Sequence, residues 1–162
     1  MTTTPQQASR NQTQIEALED VPGIRITREF DAPVDRVFRC WVDRELFEKW
    51  VGPRGHAVAV AEWDARTGGS WRYSMGEGEE ARFYGSFHEV RPPERLVQTF
   101  TWEGQPDGVS LETMTFTDLG DGRTRTVGLG IVESFEIRDM ILASGMDTGV
   151  VEGYEKLDDL LV

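Results

Sequence analysis

His56, His88 and Cys40 are the side chains best suited to hold a metal ion or move a proton at neutral pH, and their spacing argues against a metal. No His-x-x-x-His or His-Glu-x-x-His run puts two ligands on one helical face, and the single cysteine stands apart from both histidines, so no metal site is expected. Ser134 and Ser144 lack the glycine-flanked elbow that exposes a nucleophilic serine, which leaves hydrolysis without support. Gly68-Gly69 and Gly76-Glu77-Gly78 have neither the strand-to-helix setting nor the lysine of a phosphate loop; they read as hairpin turns, and no cofactor is expected. Among the acids, Glu62 and Asp64 share a strand face with Val58 and Val60. On an inward face their pKa values would rise and suit acid–base work; the competing reading ties Asp64 to Arg66 or to turn amides before Gly68. His56, Tyr73 and Tyr84 could orient a carbonyl or hydroxyl, but no catalytic residue can be assigned from these patterns.

Bulk properties narrow the partners. Seventeen Lys and Arg against 29 Asp and Glu leave a formal charge of −12 over 162 residues, with no basic cluster, so nucleic acid is not an expected partner. One cysteine rules out a disulfide within the chain and suits a reducing compartment. No apolar run approaches the ~18 residues of a membrane span, and the opening MTTTPQQASRNQTQ has no secretory apolar stretch; a cytoplasmic location is expected.

The elements that must position these groups follow from hydrophobic period. Residues 1–22 are polar and aperiodic and read as a flexible tail, leaving 23–162 as one domain. Ile24, Ile26 and Phe30 alternate with polar residues as in a half-buried strand, with Arg28 interrupting the inner face either to reach water or to enter a cavity. Asp31-Ala32-Pro33 opens a helix buried through Val34, Val37, Phe38 and Trp41, with Asp31 placed to accept from its free amides. A second short helix after Asp43 uses Leu46, Phe47, Trp50 and Val51 and stops at Gly52-Pro53. Six further strands are expected over 56–64, 69–75, 81–90, 95–102, 109–118 and 123–132. The connections are too short for parallel crossovers, so the seven strands form an antiparallel meander.

One long helix over about 137–161 is left to cover the sheet. Gly145, Gly149 and Gly153 recur every four residues along it and leave one stripe without side chains, although each mid-helix glycine costs roughly 1 kcal/mol against alanine. That stripe implies either a backbone packed very close or the space of a ligand chamber. Met146, Val150, Tyr154, Leu157 and Leu161 flank it on the apolar side.

These words together resemble the START-like (SRPBCC) helix-grip superfamily, in the branch named for the activator of the heat-shock-protein-ninety ATPase and also labelled polyketide cyclase-like. The resemblance is carried by ITREFDAPVDRVFRCWVD at 26–43, FEKWVGP at 47–53, DARTGG at 64–69, GSFHEVRPPERLVQTFTW at 85–102 and SGMDTGVVEGYEKLDDLL at 144–161. It implies an α+β fold in which a curved antiparallel sheet grips the terminal helix, with the two short helices between strands one and two. It also implies an apolar chamber between grip and helix.

Candidate chamber walls are Trp71, Tyr73 and Met75 on one strand and Phe83 and Phe87, alternating with Gly85, on the next. Met114 and Phe116 follow on a later strand, Phe38 and Trp50 on the short helices, and Met146, Gly149, Val150 and Tyr154 on the long one. The expected function is binding of a small hydrophobic or aromatic ligand, of lipid or polyketide class, in that chamber. Two alternatives stand beside it: a cyclase- or aromatase-type enzyme acting on a bound poly-carbonyl chain, and, on the family label alone, a co-chaperone-like partner of an ATPase. Exposed sheet edges are compatible with a homodimer.

Overall fold

A computed structural model describes residues 11–78 and 81–162. Eight strands form one antiparallel sheet: β1 Gln14–Ala17, β2 Gly23–Phe30, β3 Val58–Trp63, β4 Ser70–Met75, β5 Ala81–Arg91, β6 Arg95–Trp102, β7 Ser110–Gly120 and β8 Arg123–Ile131, in the order β1-β2-β8-β7-β6-β5-β4-β3. The meander runs from β3 to β8, and β2 then pairs with β8, closing the first strand of the fold onto the last. Helices α1 Val34–Val42 and α2 Arg44–Trp50 follow β2, while α3 Phe135–Ala143 and α4 Met146–Leu160 follow β8.

Three expectations change. The strand count rises from seven to eight because Ile15 and Ala17 pair with Ile26 and Ile24, making residues 14–17 an edge strand inside the segment read as a tail; residues 1–10 lie outside the described residues. The single long helix is two, since Gly145 adopts φ 86°, a left-handed conformation that ends α3 and starts α4. Asp31 does not cap α1, whose N-cap is Pro33 without a side-chain bond; Asp31 instead pairs with Arg123 and accepts from Asn11 at 2.8 Å. The second short helix behaves as its sequence suggests, with Asp43 Oδ1 accepting from the Leu46 amide at 3.1 Å.

The core sits between the sheet and the α1–α2 pair, under the second half of α4. Trp41 packs edge-on to Phe30 at 6.1 Å and to Phe116 at 5.2 Å, and lies 4.7 Å from Trp50. Tyr154 enters this cluster from α4, 5.4 Å from Phe30 and 5.9 Å from Trp50, and Leu157 below it is fully buried. The indole nitrogens reach backbone: Trp50 Nε1 donates to the Cys40 carbonyl and Trp63 Nε1 to that of Val42.

Arg28 neither reaches water nor stands free. It is 3% exposed on the inner face and gives two hydrogen bonds to Asp158 of α4, at 2.9 and 2.5 Å, while its guanidinium lies over the Phe30 ring. A desolvated guanidinium held by a bidentate carboxylate is costly to break from one side, so this pair ties β2 to the last turns of α4.

Backbone approach explains Gly153 of the glycine stripe, with Gly149 beside the same turn. A Cβ on Gly153 would stand 3.0 Å from the Trp50 carbonyl oxygen and 3.5 Å from Gly52, and one on Gly149 would stand 3.5 Å from Pro53. The turn after α2 therefore lies directly against α4. Lys156 Nζ donates to the Val51 carbonyl at 3.4 Å, and the Arg54 amide donates to Glu152 at 3.2 Å. The stripe is consequently not the ceiling of a chamber.

This geometry separates two otherwise similar substitutions. Gly149→Ala meets only ordinary contact and gains helix propensity, so it should raise stability by up to ~1 kcal/mol. Gly153→Leu collides with backbone and should lower it by roughly 1–3 kcal/mol or more. Denaturant unfolding of the two variants checks the pair.

Candidate functional site

Strand register determines which side chains face α3 and α4, and these residues differ sharply in exposure along their length. Toward the α1–α2 end, Phe30, Trp71, Phe87, Leu96, Phe116, Thr124 and Thr126 are all buried. Toward the other end, Ile26, Met75, Phe83, Gln98, Phe100, Glu112, Met114, Gly128 and Gly130 occupy the same face and are only half-buried. An inward-facing side chain can touch solvent only if space opens in front of it. The grip is packed solid at one end, and at the other its inner face is left half-covered, apart from the buried Ile24; this half-covered end is the cleft.

Of the expected chamber residues, Met75, Phe83, Met114, Met146, Gly149 and Val150 are half-buried; all but Gly149, which faces Pro53, are placed at this open end by strand register or helix position. Phe38, Trp50, Trp71, Tyr73, Phe87, Phe116 and Tyr154 are buried in the aromatic core. Two shallow grooves lie elsewhere on the surface. One of about 340 Å³ runs between Phe38, Val42, Pro92 and Pro93, and one of about 290 Å³ lies beside Gln14, Thr27 and Arg125.

Glu112 is an inner-face side chain that the strand patterning left out. It sits on β7 two residues before Met114 and four before Phe116, and period-two alternation puts all three on the inner face. Directly across the ladder stand Gln98 on β6 and Gly130 on β8, so a carboxamide flanks it on one side and no side chain on the other. Gln98 Nε2 donates to one carboxylate oxygen at 3.0 Å. Depth within the protein raises the Glu112 pKa, a shift that the Gln98 bond partly offsets, and no arginine, lysine or histidine contributes.

Two phenols complete the group. Burial raises the pKa of Tyr73 on β4 and of Tyr154 on α4, and the nearby Glu112 charge raises both further. Among the described residues neither hydroxyl has a hydrogen-bond partner, yet neither is sealed from solvent; the inner-face atoms sealed without a partner are Arg28 Nε and Trp71 Nε1. Both tyrosines are 5% exposed. Tyr73 continues a file of rings toward the opening, 5.3 Å from Phe83, which lies 5.2 Å from Phe100.

The other polar candidates point away. A bulge between Val60 and Glu62 turns Trp63 inward beside Val58 and Val60, and Glu62 becomes exposed, contrary to unbroken alternation. Asp64 accepts two hydrogen bonds at 2.9 Å from Arg66 Nε, which is the structural role set against acid–base work. Tyr84 lies on the outer face with Arg72 stacked over its ring, and His56 and His88 are exposed. No group of three or more metal-ligating side chains is found among the described residues. Among the described residues no helix is long and apolar enough to cross a membrane.

The sequence model of the family described as Activator of Hsp90 ATPase homolog 1-like protein matches residues 31–162. A crystal structure of a Mycobacterium smegmatis protein is 30% identical over 93% of this chain and 96% of its own, with a TM-score of 0.83. A solution structure from Arthrobacter aurescens is 28% identical over 91% and 90%, with a TM-score of 0.82. An HSP90 activator from Plasmodium falciparum matches 67% of this chain and 71% of its own at 19% identity and a TM-score of 0.53, a likeness of fold alone. Among curated proteins none matches the chain.

The Glu112 environment makes a stability prediction with a definite sign. A carboxyl whose folded pKa lies above its unfolded value favours folding while protonated and loses that contribution as pH rises through the folded value. The Glu112→Gln protein should therefore gain thermal stability relative to the parent as pH is raised from the acidic range to neutrality. Parallel melting curves measure the difference, which should close again at low pH.

Proposed function

Because the chain belongs to the Activator of Hsp90 ATPase homolog 1-like family, we propose that it uses this grip to bind a small apolar, ring-bearing molecule in the open cleft between the sheet and α4. The observation carrying this reading is the exposure gradient on the inner face. Met75, Phe83, Phe100 and Met114 share the inner face with buried rings but are themselves half-buried, so apolar surface is left partly uncovered on that face. Covering ~100 Å² of such surface contributes about 2.5 kcal/mol before binding costs, which gives a ligand a driving force that water lacks.

Polar groups support orientation as well as affinity. Glu112 and Gln98 lie on the half-covered part of the inner face, Tyr73 and Tyr154 are near enough for the Glu112 charge to act on them, and Met146 and Val150 would form the helical side. A ligand would place its apolar body against the Phe83–Phe100 file and one polar atom inward. The ligand reading is thus more specific than a greasy hole, since these groups can recognise only partners able to bond with a carboxyl or a phenol.

Filling the cleft tests the proposal. Val150→Trp adds a ring on the helix face that looks toward the opening and should abolish the fluorescence enhancement of Nile red, a neutral apolar dye, without lowering the melting temperature. Phe38→Leu, outside the cleft, should leave dye binding intact. Undiminished binding by a folded Val150→Trp protein would place the apolar site elsewhere.

A further inference from the structure

Among the described residues the cleft contains a carboxyl and no free cation. No arginine, lysine or histidine acts on Glu112; Arg28 on the inner face gives both terminal nitrogens to Asp158, and Arg138 of α3, buried at the start of β2, gives its guanidinium to Asp139 and to the Leu18 and Gly23 carbonyls. Gln98 satisfies one Glu112 oxygen, and on the flank opposite Gly130 adds no side chain of its own, although a Cβ there would stand 3.4 Å from the Ser110 hydroxyl. The hydroxyls of Tyr73 and Tyr154 supply two more oxygens, unbonded among the described residues, from β4 and α4. Phe83 and Phe100 present ring surface on the route to that point, Phe100 one inward position along β6 from Gln98.

We propose that this cleft selects an apolar amine, whose ammonium group is taken by Glu112 and the two tyrosine oxygens while its ring-bearing body lies along Phe83 and Phe100. This rests on the ligand-binding reading above and names the ligand's polar group. The physical reason is compensation: a carboxylate withdrawn from water without a partner is costly, and an incoming ammonium removes that cost and gains charge-assisted bonds. Ring faces beside the amine add a cation–π contribution. A carboxylate ligand, such as a fatty acid, would instead set a second negative charge beside Glu112 with no cation to balance the two.

The sign of the pH dependence separates an amine from a neutral ligand. The groups facing Glu112 are Gln98 from β6, Tyr73 from β4 and Tyr154 from α4, with Arg28 of β2 acting on Tyr154 and held by Asp158. The tyrosines stay neutral well past neutrality, since burial and Glu112 both raise them. Amine binding should therefore strengthen as pH rises and Glu112 ionises. A ketone held by the protonated carboxyl would weaken over the same range.

Calorimetric titration of the full chain with 1-naphthylmethylamine, 1-acetonaphthone and 1-naphthoate holds the ring constant and changes only the polar group. At neutral pH the amine should bind roughly tenfold more tightly than either of the others, the scale of one charge-assisted bond. Glu112→Gln should remove that preference while leaving the ketone bound, and Tyr73→Phe should reduce it in part; melting curves confirm that both variants fold. Ketone or carboxylate binding as tight as amine binding, or an amine preference that survives Glu112→Gln, overturns the amine assignment and leaves ligand binding standing. If none of the three naphthalenes binds and Nile red does not bind either, the cleft reading itself fails, and the amine assignment with it.

Discussion

The anchoring of the second half of α4 governs everything else in this fold. Gly153 lets the helix lie on the backbone of the turn after α2, Tyr154 locks into the Phe30–Trp41–Trp50 cluster, and Arg28 holds Asp158. These contacts all fall between residues 149 and 161, so the helix is fixed at the end where the sheet is already covered by α1 and α2. Its first turns, starting at the left-handed Gly145, carry none of these anchoring contacts. A rigid clamp at one end and an unfilled sheet at the other are two consequences of one packing arrangement.

That arrangement explains why a carboxyl can sit on the inner face at all. Glu112 lies where the cleft opens, deep enough for desolvation to raise its pKa and open enough for part of its side chain to meet solvent. Four residues along the same strand, Phe116 is surrounded by Phe38 and Trp41, and a carboxyl there would have no such outlet. The position is tolerated because it belongs to the open half, and a ligand able to bond with it would repay what folding leaves uncompensated.

Much of the fold was legible because the relevant signals are local. Strand alternation located seven strands, and the Asp43 cap and Gly52 stop placed α2. The edge strand Gln14–Ala17 escaped notice because four residues carry too little periodicity, and it gains its identity only by pairing with β2. The bulge at Val60–Glu62 reversed the facing of Glu62 for the same reason, since a register shift depends on the partner strand. The site was legible in half. Register puts the strand aromatics and methionines named from the sequence on the inner face, but nothing local distinguishes the buried Phe87 from the half-buried Phe83 four residues away. Glu112 could have been found by extending the Met114–Phe116 alternation back by one step. Of the two readings open for the glycine stripe, close backbone packing holds at Gly153, against Trp50 and Gly52, a distinction that only the partner's position resolves.

Methionine-methyl NMR addresses the central claim most directly, because Met75, Met114 and Met146 ring the cleft from β4, β7 and α4 while Met140 stands exposed on α3. During titration with an apolar amine the three cleft methyls should shift together along one saturation curve and Met140 should stay in place. Shifts confined to Met140, or three cleft methyls unmoved at saturation, would contradict the account.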